Sequence, residues 1–199
     1  MLNGFEKKLI KKNIKTAFYL TKIIDIDNNK LEIIFIQQSG LKFYMKQTYD
    51  IDMIRNPDEA YIIRYLNTNN KKILIKILEK KTQNVNGSIE TKLWSSPSLK
   101  KEYEIICGNK FIIEYCLCIN KFLQNKLCYN ANNANNANNA NNANNANNAN
   151  NATNVKNSNC NKKYEILKII LQESNIDILY GEDKDYYINL DLWINKINI

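Results

Sequence analysis

The chain has no histidine, and its 199 residues include only 5 glycines, 2 prolines and 5 cysteines. Without histidine, Ser-His-Asp and Cys-His pairs, an imidazole general base and every histidine-containing zinc site are excluded. An enzyme made from this sequence would have to work with carboxylates and lysines. The glycines, at 4, 40, 87, 108 and 181, are too scattered for a GxGxxG or GxxxxGK[ST] loop, which argues against nucleotide-driven chemistry. The cysteines, at 107, 116, 118, 128 and 160, are odd in number and include no C-x-x-C, so neither a disulfide framework nor a four-cysteine zinc site follows. There is no run of 18 apolar residues and no apolar leader core, so neither a membrane span nor secretion is expected. These absences together predict a non-catalytic protein with no cofactor and no metal.

What is present is positive charge and an unusual repeat. The net charge is +8. Residues 1–129 hold 22 basic and 13 acidic side chains, whereas 162–199 hold 5 and 7, so the basic character belongs to the N-terminal piece. Between them, alanine recurs every third residue from 131 to 152 in an Ala-Asn-Asn array. Such a tract has little apolar surface to bury against its ordering entropy, and 130–161 reads as a disordered insert. The 38 residues after it are too few to fold alone. Residues 1–129 and 162–199 are therefore expected to form one α+β domain together.

The pattern at 5–24 predicts a helix. At helical spacing Phe5, Leu9, Ile10, Ile14, Ala17, Leu20, Ile23 and Ile24 fall on one side of the wheel and Lys7, Lys8, Lys11, Lys12, Lys15 and Lys22 on the other, with only Phe18 breaking the division. Six ammoniums on one face fit a solvated surface, a nucleic-acid backbone or an anionic membrane. Lysine suits phosphate contact without base readout. Further on, four strand pairs are predicted: 31–37 with 41–46 through Ser39-Gly40, 60–66 with 72–79 across Asn67 to Lys71, 103–106 with 111–119, and 176–180 with 187–194. A helix is expected from Tyr164 to about Ser174. The fold class is thus an antiparallel sheet of hairpins with two helices on one face. Cys116 and Cys118 read as small core residues, Tyr44 and Trp193 as exposed aromatics, and Glu182, Asp183 and Asp185 as a polar hairpin loop. The carboxylate pairs Asp25/Asp27 and Asp50/Asp52 have no apolar pocket around them and do not read as an acid–base pair.

This order of elements resembles one domain of a DNA sliding clamp. Leu93-Trp94, Lys101-Glu-Tyr-Glu-Ile-Ile106, Asn109, Phe111-Ile-Ile-Glu114 and Phe122-Leu123 resemble the Hus-type subunit of the checkpoint clamp, the nine-one-one complex. Ile166-Leu167-Lys168 through Asp177-Ile178 to Tyr187-Ile-Asn-Leu190 is similar to the helix and hairpin that end a clamp's first domain. The resemblance implies a DNA-repair and checkpoint subunit in the nucleus, the cytoplasm being the alternative, with other clamp-type subunits and duplex DNA as partners and no membrane. Lys7, Lys8, Lys11, Lys12, Lys15 and Lys22 would meet phosphates, with Lys162, Lys163 and Lys168 as contacts from the second helix. Phe111 to Ile119 or Tyr186 to Ile194 would be the edge that pairs with a neighbouring subunit. A clamp subunit normally has a strand before its first helix and a second domain, so a truncated or divergent subunit is implied. The alternative is a protein-interaction subunit with no nucleic-acid role.

Overall fold

The computed structural model describes residues 4–10, 18–26, 29–67, 71–83, 89–127 and 162–197. Seven strands form one sheet: β1 (Glu6–Leu9), β2 (Phe18–Ile26), β3 (Asn29–Gln37), β4 (Glu59–Tyr65), β5 (Ile73–Lys81), β6 (Phe111–Ile119) and β7 (Ile176–Tyr180). Their order across the sheet is their order in the chain. The first five run antiparallel, whereas β5–β6 and β6–β7 are parallel. A parallel pair cannot be closed by a tight turn and needs a crossover. Helices fill both crossovers: α2 (Ile89–Trp94) and α3 (Ser96–Cys107) in the first, α4 (121–127) and α5 (Lys162–Glu173) in the second.

The crossover helices and α1 (Gly40–Tyr49) cover one face. Met45, Tyr103, Leu123 and Leu167 meet Ile34, Ile62, Ile75, Ile77 and Tyr115 there in the largest apolar cluster. The opposite face carries α6 (Tyr186–Asn195), whose Leu190 and Trp193 pack on Phe35, Tyr61, Leu78 and Cys116. With both faces covered, the central strands are buried on both sides rather than alternating, as in β5, where six consecutive residues, all apolar but Lys76, are buried.

Several elements differ from the sequence-based expectation. The sheet is mixed, not an antiparallel set of hairpins. The described parts of 5–24 are β1 and β2 instead of a helix, in keeping with the β-branched Thr21, Ile23, Ile24 and Ile26 that stiffen this stretch. Residues 41–46 belong to α1, where Leu41, Tyr44 and Met45 are buried at spacings of three and four. Residues 103–106 lie in α3, which Pro97 opens and Gly108 closes with φ 70° and ψ −173°, a conformation essentially reserved for glycine. Residues 187–194 lie in α6, with Leu190 and Trp193 three apart on its buried side. The pair β4–β5, strand β6, helix α5 and strand β7 match expectation. Phe111 to Ile119 is nevertheless an interior strand between β5 and β7, and Tyr186 to Ile194 is not in the sheet, so neither offers an edge. Tyr44 and Trp193, expected to be exposed, are 4% and 6% exposed. Cys116 and Cys118 are buried as expected. The Ala-Asn-Asn array lies outside the described residues, in the chain between α4 and α5.

Candidate functional site

Among the described residues, the N-terminal lysines proposed to meet phosphate stand on strands. Lys7 and Lys8 are exposed neighbours on β1, and strand geometry sends adjacent side chains to opposite faces. The Lys7 ammonium rests over the Phe18 ring, 4.1 Å from its centre. Lys22 is half-buried on β2, opposite Ile33. Lys11, Lys12 and Lys15 lie outside the described residues. Lys162, Lys163 and Lys168 are exposed on α5, which packs beside β7. β1 and β7 are the two ends of the seven-stranded sheet, so these groups sit far apart.

A different set of charged groups does converge. The β4–β5 register pairs Glu59 with Leu78, which places Asp58, the residue just before β4, beside Glu79. Strand alternation then sorts the neighbours. Glu59 and Lys80 point to the α6 side, where Lys80 Nζ reaches Glu59 Oε1 at 2.6 Å and the Tyr61 hydroxyl donates to Glu59 Oε2 at 3.2 Å. Glu79 and Lys81 point to the face of the crossover helices. Lys81 Nζ lies 2.5 Å from Glu79 Oε2 and 3.9 Å from Asp58 Oδ2, and the Lys80 backbone N–H donates to the same Asp58 oxygen at 2.7 Å. Glu79 and Lys81 side chains are each 13% exposed and Asp58 43%, so the group opens to solvent on the Asp58 side.

The electrostatics of this group are unbalanced. Burial pushes the Glu79 carboxyl up; Lys81 opposes the rise, and Asp58, close enough to share a hydrogen bond with it, adds to it. Two carboxylates therefore share one ammonium in a half-desolvated place, where like charges repel more strongly than in water. The hydroxyls of Tyr103 and Tyr115 add to the site. Both are buried, neither has a hydrogen-bond partner among the described residues, and both feel the Glu79 charge.

Two further contacts hold the frame. Arg55, in the loop before β4, binds both Glu102 oxygens on α3 through Nε at 3.0 and 3.1 Å. Asn120 ties the end of β5 to the end of β6, donating to Gln83 O at 2.8 Å. Elsewhere, Asp50 and Asp52 ion-pair with Lys46 on α1, and Asp183 accepts from Gln124, as expected of surface groups.

Among the described residues no group of three or more acidic or cysteine side chains is placed to hold a metal ion. Two carboxylates are still enough for Mg²⁺, which keeps several waters and completes its shell with substrate phosphate oxygens. Asp58 and Glu79 fit that role: a cation between them would relieve their repulsion and the desolvation of Glu79. Sequence reasoning missed this pair because it sought carboxylates two apart in one loop. The signal was available: in an antiparallel pair the residue before one strand meets the residue ending the next. Neither a protein-family model, a curated protein nor a solved structure matches the chain, so the functional reading rests on this geometry.

Proposed function

We propose that the chain is a divalent-cation-dependent phosphodiester hydrolase acting on nucleic acid, with Asp58, Glu79 and Lys81 as its catalytic residues. The observation that carries this reading is the convergence of two carboxylates and a lysine at one end of β4 and β5. Asp58 and Glu79 would hold the divalent cation, which would supply Lewis acidity and acidify bound water. Asp58, fixed by the Lys80 N–H, and Glu79 set where the phosphodiester sits. Lys81 brings its ammonium to the negative charge that builds on the phosphoryl oxygens as the water oxygen bonds to phosphorus. The opposite ester P–O bond breaks, the leaving oxygen takes a proton, and the products are an alcohol and a phosphate monoester. The net charge of +8 favours approach of a polyanion. Nucleic acid, expected from the lysine-rich N-terminal piece, is thus kept as the partner, now as substrate.

The test is incubation of the full chain with end-labelled DNA and RNA in Mg²⁺ or Mn²⁺. Fragments that vanish with EDTA and with Asp58→Ala are expected. Equal products from Asp58→Ala, or none on any substrate, would remove the reading. Salt-sensitive duplex binding without cleavage would favour the non-catalytic DNA-binding alternative instead.

Glu79→Gln separates function from structure. A carboxyl whose folded pKa is raised adds stability below its unfolded pKa and loses it as pH rises through the folded one. In EDTA the variant should therefore melt higher than the wild type at pH 8, with the gap closing as pH falls toward the carboxylate range, while cleavage is lost. A differential-scanning Tm series against pH checks this; a lower Tm at pH 8 would mark Glu79 as a structural residue.

A further inference from the structure

A second site lies at the other end of the same strands. A cavity of about 250 Å³ is lined by Tyr49, Arg64, Tyr65, Lys71, Ile73 and Lys110. No carboxylate lines it. Arg64 is already matched: Nη2 and Nε meet Glu32 Oε2 at 2.6 and 2.7 Å, and Thr21 donates to Glu32 Oε1 at 2.9 Å. Lys71 and Lys110 differ, since neither makes an ion pair among the described residues. Their ammoniums lie over tyrosine rings instead, Lys71 at 3.8 Å from the Tyr65 centre and Lys110 at 5.2 Å from that of Tyr49. Two positive charges with no ion-pair partner among the described residues thus face one opening, each over a tyrosine ring.

We propose that this cavity binds a phosphate monoester carried on an organic body, such as a nucleoside monophosphate. The charge fits: a monoester carries about −1.5 to −2 at neutral pH, against the two lysines. The tyrosine rings and Ile73 give the rest of the ligand an apolar wall. At about 3.3 Å per residue, the eight steps of β5 from Ile73 to Lys81 put this site roughly 25 Å from the carboxylate pair. It is a separate site, and the argument for it stands without the proposed hydrolase.

Calorimetry on the full chain at low salt tests it with three probes: inorganic phosphate, adenosine monophosphate and adenosine. Adenosine monophosphate should bind about tenfold or more tighter than phosphate, with adenosine not measurable, since charge complementarity and the apolar wall both contribute. Lys71→Glu/Lys110→Glu should abolish binding, whereas Lys81→Ala should leave it unchanged. Both substituted lysines are exposed, and circular dichroism verifies the fold; the single Lys110→Ala, expected to weaken binding severalfold, serves if the double variant unfolds. Equal affinity for phosphate and adenosine monophosphate, adenosine binding as tightly as its phosphate, or unchanged binding in the lysine variants would overturn the proposal.

Discussion

Replacing Lys81 by alanine is expected to lower the cleavage rate by about 10²–10³-fold, the usual loss when one charge-stabilising donor is removed from a hydrolytic transition state. Lys80→Ala should change it by no more than a fewfold. The two lysines are adjacent, yet strand alternation sends Lys80 to Glu59 on the α6 side and Lys81 to Glu79 and Asp58. Any effect of bulk positive charge would treat them alike, so the ratio of the two losses isolates position from charge. The split between kinetic constants adds a second readout. If Lys81 acts in the transition state, kcat falls and KM holds; a loss confined to KM would make it a substrate anchor. Single-turnover cleavage of a labelled oligonucleotide, with wild type and both variants in parallel, measures this.

Lys76→Ala is expected to cost about 3–5 kcal/mol of folding stability, because it strands the mostly buried Glu114 carboxylate and the Trp193 and Lys196 carbonyls together. Lys76 is fully buried at the centre of β5. Its three ammonium hydrogens are all engaged: Glu114 Oε2 at 2.6 Å on the parallel neighbour, and the Trp193 and Lys196 carbonyls at 2.6 and 2.7 Å at the end of α6. The Trp193 ring covers it at 5.1 Å. Burial pushes its pKa down, and Glu114, with the Asp177 charge as a smaller contribution, opposes that. Lys76→Met/Glu114→Gln keeps the volume and removes both charges, and should recover most of the loss, as buried ion pairs replaced by well-packed neutral groups usually do. Urea midpoints of the three proteins test the pattern. A double variant as unstable as Lys76→Ala would mean that the carbonyl contacts to α6, not the ion pair, hold this face.

How far the fold was legible varied with what local residues could decide. The β4–β5 pair was readable, because two Ile-, Leu- and Tyr-rich runs flank a polar Asn-rich loop and no helix fits so short a connection. α1, α3 and α6 were not. Gly40 to Met45 satisfies an alternating pattern and a three-four pattern alike, and Tyr186–Asn195 is rich in residues that also suit strands. What decides them is tertiary: α3 lies in the crossover that the parallel β5–β6 pair requires, and α1 and α6 each have an apolar face of the sheet to cover. The described lysines of the 5–24 pattern, Lys7, Lys8 and Lys22, stand on strands, where helical spacing does not gather them. The carboxylate site followed from the register of a correctly read strand pair, and needed only that Asp58 and Glu79 be counted across the hairpin instead of along one segment.

Because every strand in the sheet lies beside its predecessor in the chain, the molecule can be assembled in the order in which it is synthesised. Each new strand emerging from the ribosome finds its hydrogen-bonding template already made, without waiting for a distant segment. Asp58, Glu79 and Lys81 come from adjacent strands, so only about two dozen residues of chain need emerge between the first of these groups and the last. The late step is β7, whose parallel docking on β6 waits for the 56 residues that separate Ile119 from Ile176, the Ala-Asn-Asn array among them. Expansion of that array would lengthen the wait for β7 and α6, and prolong exposure of the β6 edge, while leaving the β4–β5 hairpin that carries the carboxylates untouched.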